Sequence, residues 1–354
     1  MMLRVFRYAY GGAKVMALKS RLLTLRDYHF LLRARDLDDL LGYLRTTAYG
    51  PALAGWDWRA QGAEAELSRR LYGEMLQAFA KVRRGLMSRE ARFIGVLAQR
   101  LVAENLKVVL RALHQGLPWE QAAARLLPLK GLTDLNFEEL LKMGSVDALA
   151  DHLARTPWGP PLARGLPRYQ REQSLFPLEM SLDLWVFAAL RQGLKLLSRP
   201  DCRLAGQILS TLAEVTNVIW AGRFRDLYGF PGEEIYQYFI DAGRFEKPRP
   251  RRDLAFAPGV AEMVALLPHP YETLLQGAVD LSEVEARLQR HWLAVLEKVL
   301  RRPPFQVGLP VIYLFLKELE LDNLITLITG KLLNLPTERV APLIRRRFPG
   351  GGHV

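Results

Sequence analysis

Two glycine-lysine pairs, Gly330-Lys331 and Gly11-Gly12-Ala13-Lys14, are the places in this chain where a nucleotide phosphate would first be sought. A phosphate-cradling loop needs glycines that aim backbone N–H groups at the ligand, then a lysine and a hydroxyl for magnesium. Leu332 follows Lys331, and Ile325 stands where the first glycine belongs, so neither segment qualifies. The six histidines, His29, His114, His152, His269, His291 and His353, are scattered. None pairs at helical ligand spacing beside a glutamate, which disfavours a zinc hydrolase. No nucleophile-elbow serine is present. The only cysteine, Cys202, lies beside Asp201 with no local sign of activation. A carboxylate pair assembled by folding is the remaining route to catalysis. The residues therefore offer no cofactor or metal site, and bond chemistry is left to such a pair.

Polar residues that recur are more informative. Asn105 and Asn323 directly follow an acid (Glu104, Asp322), Asn217 follows Glu214 by three residues, and the three precede a proline by 13, 14 and 13 residues: Pro118, Pro231 and Pro336. Glutamate follows each proline two residues later, as Glu120, Glu233 and Glu338. On a helix, positions three, four and seven onward share a face. For these asparagines that face holds Val108, Val109 and Ala112, then Trp220, Ala221 and Phe224, then Thr326, Leu327 and Gly330. An amide on so apolar a face needs a backbone or side-chain partner, because a buried unpaired polar group costs about 1 to 3 kcal/mol. Asn105, Asn217 and Asn323 are thus candidates for tying helices together. Arg111 and Arg223 stand six residues on, Arg225 and Lys331 eight on, toward the flank. These cations are candidates for partner contact, with simple solvation as the competing reading.

The elements that carry these residues are repeated. Asp36 to Leu53 lies over Ser145 to Leu162 without a gap, matching Leu44/Leu153, Thr47/Thr156, Gly50/Gly159 and Pro51/Pro160 among others. A fainter copy places Leu266, Tyr271 and Leu275 at Leu44, Tyr49 and Leu53, with Pro268 and Pro270 altering the turn. A repeat of this period predicts a three-part helical assembly, with parts over 1–125, 126–245 and 246–354 and helices exchanged between neighbours. A chain of 354 residues, half of it hydrophobic and a quarter charged, suits such a folded array. Lone Cys202 excludes an internal disulfide and fits a reducing compartment. No run is long and apolar enough for a spanning helix, and Met1 to Met16 lacks the pattern of a signal peptide.

Apolar spacing predicts helix nearly everywhere. Leu31, Leu32, Leu37, Leu40, Leu41 and Leu44 recur as one helical face, as do Leu67, Leu71, Met75, Leu76 and Phe79. Ser145 is the expected cap of a helix over 146–155, Ser282 of one through Leu300, and Ser174 to Pro177 opens one over 178–197. Loops are expected over 157–167, 248–258 and 303–310. A net charge of +12 invites nucleic acid, an anionic membrane surface or an acidic protein as partner. Much of the excess sits in Lys247 to Arg252, Arg301-Arg302 and Arg345-Arg346-Arg347. The chain carries no nucleic-acid module and no regular basic stripe. A basic helical repeat protein on nucleic acid is therefore the second reading, a helical hydrolase the third.

Several phrases resemble one family. Tyr8-Ala9-Tyr10 with Lys14 to Thr24, Tyr43 to Gly50, Glu179 to Asp183, Asn217 with Arg223, Gly243-Arg244-Phe245, and Lys317 to Asn323 with Gly330-Lys331 are similar to the marks of the C subunit of prokaryotic V/A-type rotary ATPases, called the d subunit in eukaryotes. The resemblance implies an all-α funnel of three similar domains with pseudo-threefold symmetry. It implies a non-catalytic rotor component between the central stalk subunits and the membrane proteolipid ring, peripheral on the cytoplasmic face, coupling ATP turnover to proton or sodium transport. Under it, Arg111, Arg223, Arg225 and Lys331 become cavity-lining candidates. The chain departs from the family's pattern in its strong basicity and in the insertion Lys247 to Arg252. By analogy, an arginine-rich edge of this kind suits anionic lipid head groups.

Overall fold

The computed structural model describes residues 2–60, 62–301 and 306–345. Arg302, Pro303, Pro304, Arg346 and Arg347, drawn on above for loop and charge, lie outside the described residues. Among those described the architecture is all-helical, with a bridge between Lys130 and Thr133 as its one strand-like pairing. The first half contains α1 (Met2–Lys19), α2 (Leu25–Arg33), α3 (Leu37–Arg45), α4 (Gly50–Leu53), α5 (Ala63–Arg83), α6 (Ser88–Gln115), α7 (Trp119–Ala123), α8 (Phe137–Leu141), α9 (Val146–Leu153) and α10 (Gly159–Glu172). The second contains α11 (Phe176–Gly193), α12 (Arg199–Asp226), α13 (Gly232–Gln237), α14 (Pro248–Ala255), α15 (Val260–Ala265), α16 (Tyr271–Leu275), α17 (Leu281–Leu300), α18 (Gly308–Leu332) and α19 (Thr337–Val340).

Two compact units make up the chain, one of Met1–Asp183 with Pro303–Val354 and the other of Leu184–Arg302. In the first, α18 packs on α5, α1 and α3, while α5 also packs on α6 and α6 on α9. Leu40, Leu44, Tyr49, Leu53, Leu71, Leu97 and Leu149 are buried there. In the second, α12 packs on α17 and α13 on α14, around Ile208, Val218, Phe245, Leu288 and Leu296. Burying an aliphatic or aromatic side chain of this size contributes about 1.5 to 3 kcal/mol.

Local chemistry revises several expected boundaries. The leucine face over residues 31–44 belongs to two helices, because the Asp36 carboxylate accepts from Asp39 N–H at 2.8 Å and opens α3 anew. Ser145 caps α9 as expected, accepting from Ala148 N–H at 3.1 Å. At α17 the cap is Asp280 rather than Ser282, which falls inside the helix; its carboxylate accepts from Glu283 N–H at 2.8 Å. The helix placed over 178–197 begins earlier, at Phe176, is α-helical to Gly193 and closes as a 3-10 turn over Leu194–Leu196. Two expected loops are helical: α10 covers much of 157–167 and α14 much of 248–258. Proline is tolerated in a first helical turn, where its missing N–H has no partner to lose, and Pro160, Pro161, Pro248 and Pro250 occupy first turns.

The repeated Gly-Pro pair has a steric cause. A Cβ on Gly50 would meet the Arg45 carbonyl oxygen, and one on Gly159 would meet that of Ala154. In both copies the threonine three residues earlier fixes the turn: Thr47 Oγ1 donates to Leu44 O at 2.6 Å, Thr156 Oγ1 to Leu153 O at 2.7 Å. The third copy, with its prolines, has Glu272 in place of the glycine and needs no such approach. Gly159→Ala is expected to lower stability by about 1 to 3 kcal/mol through this overlap. Gly42→Ala, inside α3 with open space around the new methyl, should raise it by about 0.5 to 1 kcal/mol. Chemical denaturation of both variants checks the pair; equal effects would remove the steric account.

Candidate functional site

Three long helices, α6, α12 and α18, carry the repeated asparagines, and all three end alike. Gly116 after α6 and Asn334 after α18 adopt left-handed backbone, at φ 62° and 52°. Leu117 N–H then donates to Ala112 O at 2.9 Å, and Leu335 N–H to Gly330 O at 2.8 Å. After α12, Gly229 at φ 65° precedes Phe230 N–H donating to Phe224 O at 3.0 Å. Such bonds satisfy the orphan carbonyls of a helix end. Proline follows each time and starts a short helix, α7, α13 or α19, which turns the chain back along the long helix.

The returning chain is clipped by the asparagine. Asn105 Nδ2 donates to Leu127 O at 2.9 Å while Leu127 N–H donates to Asn105 Oδ1 at 2.8 Å. Asn217 makes the same pair with Ile240, at 2.9 and 2.8 Å. Asn323 accepts from Arg345 N–H at 2.8 Å, and its Nδ2 lies 3.4 Å from Arg345 O and 3.3 Å from the Tyr28 hydroxyl. All three amides are buried.

A second set of polar groups reaches from these helices to the repeated turns. Glu320, on α18 three residues before Asn323, accepts from Tyr49 OH at 2.6 Å and from Leu23 N–H at 2.5 Å. Lys317 Nζ donates to Tyr49 OH at 2.8 Å and lies 3.7 Å from Glu320. On α12, Glu214 holds the corresponding place and accepts from Tyr271 OH at 2.7 Å, Arg244 N–H at 2.8 Å and Arg244 Nη1 at 2.8 Å. Both carboxylates are buried, and a buried charge needs such company. Burial, then the neighbouring glutamate, pushes the Tyr49 and Tyr271 hydroxyls well above the ordinary value. Burial lowers the Lys317 ammonium. On α6 the same position is Val102, and the middle turn carries Trp158 where the others carry tyrosine. Carboxylate and hydroxyl are thus lost together.

Ion pairs join the long helices to their neighbours. Arg111 Nε and Nη2 donate to both oxygens of Glu179, at 2.7 and 2.8 Å, and Lys107 lies 2.6 Å from Asp183 and 2.9 Å from Glu104. Arg223 grips Glu285 in the same two-pronged way, at 2.5 and 2.6 Å. Of the four flank cations, Arg111 and Arg223 are half-exposed. Arg225 is largely buried, donating to Ala257 O at 3.1 Å and pairing with Asp226 at 2.8 Å. Lys331 donates to Ala34 O. Burial raises the Asp183 carboxyl to about 6 against the pull of Lys107.

Sequence reasoning passed over Tyr49, Tyr271, Glu214, Arg244, Lys317 and Glu320 as a network. The signal was present, in a tyrosine matched between the first and third turns and a glutamate three residues before two of the three asparagines. Chemically, the arrangement fixes helices to one another. Among the described residues, no three His, Cys, Asp or Glu side chains gather as a metal site, and no helix is long and apolar enough to cross a membrane.

The family model described as ATP synthase (C/AC39) subunit matches residues 12–342. The chain belongs to that family. It is similar to the C subunit of the A-type ATP synthase of Methanocaldococcus jannaschii, 25% identical over 349 residues, 95% of this chain and 86% of the relative. The equivalent A-type ATP synthase protein of Archaeoglobus fulgidus is 23% identical over 94% of each chain, and that of Thermococcus gammatolerans 23% over 90% of this chain and 84% of its own. The family is a structural subunit of the ATP synthase and not a catalytic one. The nucleic-acid reading finds no support in it.

Asn217→Leu leaves the buried Ile240 N–H without a partner and its C=O with the Ala242 N–H alone, at 3.0 Å. A stability loss of about 1 to 3 kcal/mol is expected by chemical denaturation, and an unchanged midpoint would refute the clip. Asp183 offers a pH test. Its folded value of about 6 exceeds the ordinary 3.8, so its contribution is fully present below about 4 and lost as pH rises through about 6. At 1.36 kcal/mol per pH unit the difference amounts to about 3 kcal/mol. Asp183→Asn should therefore gain on the native protein between pH 4 and 7; a gap running the other way would show that the ion pair with Lys107 outweighs burial.

Proposed function

We propose that this protein is the non-catalytic coupling piece of a V/A-type ATP synthase rotor. It sits on the cytoplasmic face of the membrane between the central stalk and the proteolipid ring, and carries torque for proton or sodium transport or for ATP synthesis. Family membership supports the complex. The finer reading rests on one observation, a cyclic hand-over of contacts between repeats.

The first asparagine helix, α6, is bound through Lys107 and Arg111 to α11 of the second repeat. The second, α12, is bound through Arg223 to α17 of the third and through Glu214 to the third turn. The third, α18, returns to the first: Glu320 to Tyr49, Asp322 to Tyr72 on α5 at 3.3 Å. First to second, second to third, third to first is the order of contacts that a three-part ring requires. It supports a funnel of three similar parts over 1–125, 126–245 and 246–354 with helices exchanged between them. A hollow of that kind suits a shaft held from one side and a ring met from the other, and close-packed helices transmit strain.

Within this reading Arg111 and Arg223 are the cations to meet a partner, since each keeps half its side chain in solvent while a glutamate holds its guanidinium in place. Arg225 and Lys331 spend their donors on backbone carbonyls of this chain. Affinity purification of the tagged protein from its native membranes tests the role. Stalk and proteolipid subunits should accompany it, and Arg111→Gln with Arg223→Gln, which lose the ion pairs and lower the thermal midpoint, should lower their recovery several-fold at a temperature where circular dichroism shows the variant folded. A native protein that purifies alone overturns the proposal.

A further inference from the structure

The basic run Lys247 to Arg252 has no part in the asparagine clips or the buried carboxylate contacts described above. It forms the start of α14, whose Leu254 and Ala255 are buried. Arg249, Arg252 and Phe256 follow at spacings of three and four, and so share the opposite face. Arg249 is 92% exposed and Phe256 48%. The Arg252 guanidinium lies 5.9 Å from the centroid of the Phe256 ring. Arg251 turns back into the fold, donating to Glu246 O at 3.2 Å.

Phe256 is not alone. Its ring passes 2.6 Å from where a Cβ of Gly232 would stand, so glycine makes room for it. Two residues before Gly232, the Phe230 ring lies 5.5 Å from that of Tyr228. Tyr228 is 57% exposed and Leu227 70%. Arg225, just before them, reaches Ala257 O at 3.1 Å and ties the end of α12 to the residue after Phe256. Acids are present: Asp226 beside Arg225, Asp253 at 3.7 Å from Arg249, and Glu233 and Glu234 at the start of α13. The local excess of charge is therefore the run Lys247 to Arg252, four cations without an acid.

Exposed phenylalanine, tyrosine and leucine interleaved with arginine is the composition of a surface that lies in the head-group boundary of a bilayer. Rings bury among acyl chains there while guanidinium groups stay with phosphates. A folded acidic partner would have to match the protruding side chains in shape and avoid Asp253 and Glu233; a fluid lipid surface has to do neither. We propose that the face of Arg249, Arg252 and Phe256, with Leu227 and Tyr228 beside it, seats on an anionic lipid bilayer. The proposal names the lipid-facing surface of the membrane-peripheral protein and rests on that reading only for the nearness of a bilayer.

Co-sedimentation of the full-length purified protein with vesicles tests it. The native protein should bind vesicles of phosphatidylcholine mixed with phosphatidylglycerol, release as salt rises, and stay free of pure phosphatidylcholine. Each cation near an anionic leaflet strengthens binding about fivefold. Arg249→Gln with Arg252→Gln should thus weaken it about 25-fold, and Phe256→Ser should weaken the part that survives high salt. Both variants change exposed side chains, so their thermal midpoints should match the native one; Arg249→Gln alone, at about fivefold, provides a milder second test. Native protein that ignores anionic vesicles, or variants that bind as well as it does, overturns the proposal. So does intact vesicle binding with loss of the other synthase subunits in detergent, which would make the face a protein interface. Failure of the native protein to co-purify with the synthase would instead strike the coupling role and leave the vesicle result to be read separately.

Discussion

A side-chain amide standing in for a peptide group is the constraint on which this fold depends. Each long helix ends at a left-handed residue and a proline, and the chain comes back along the helix as a segment with no neighbouring strand or helix ladder to pair it. A backbone segment buried in that position needs one donor and one acceptor in the geometry of a peptide, and asparagine offers both from a short, stiff side chain. Aspartate would lack the donor and leucine both groups. Glutamine adds a rotatable bond that costs entropy to fix. The clip is measured from the proline: Leu127, Ile240 and Arg345 each follow their proline by nine residues. The extra residue in the second copy is absorbed before the proline, at the end of α12, so the clipped register is kept.

The buried carboxylates show why the three copies are not identical. A glutamate placed three residues before the asparagine lies inside the packing and carries a large desolvation cost. In two copies that cost is offset by a tyrosine hydroxyl together with backbone N–H groups and a cation. In the remaining one, valine and tryptophan occupy the corresponding places, so no carboxylate is buried there. Either arrangement is self-consistent, whereas a glutamate facing tryptophan, or a tyrosine hydroxyl facing valine, leaves a polar group unpaired.

Much of this was legible in the sequence because it repeats. Helices, the turn phrase and the asparagine phrase could be aligned copy against copy, and the apolar face of Asn217 implied burial before any partner was visible. What stayed hidden is of two kinds. Helix starts at Asp36 and Asp280 were misread because a leucine period runs across the first and a serine lies two residues past the second; a cap is decided by which carboxylate reaches an N–H, and periodicity does not report that. Loops assigned from prolines at 160, 248 and 250 turned out helical because proline opens helices as readily as it ends them. The long-range partners were hidden for another reason. Tyr49 and Glu320 stand 271 residues apart, and a single sequence says that both are polar and in apolar surroundings without saying that they meet.

The pattern of ion pairs bears on what such a body resists. On α6 and α11, Lys107 meets Asp183 and Arg111 meets Glu179, so the helices run antiparallel with pairs one turn apart. Sliding one helix along the other by a turn, about 5.4 Å, would set Lys107 against Glu179 and leave Arg111 and Asp183 each without a partner. An apolar seam opposes separation but only weakly opposes sliding, because one leucine contact replaces another. Two charged pairs in register, one of them largely buried, oppose the slide as well, since breaking them strands a charge in a poorly solvated place. The bidentate grip of Arg223 on Glu285 applies the same restraint between α12 and α17. Shear along helix axes is the deformation that a twisting load imposes on a bundle of helices, and in both units it is the joints between long helices that carry these pairs.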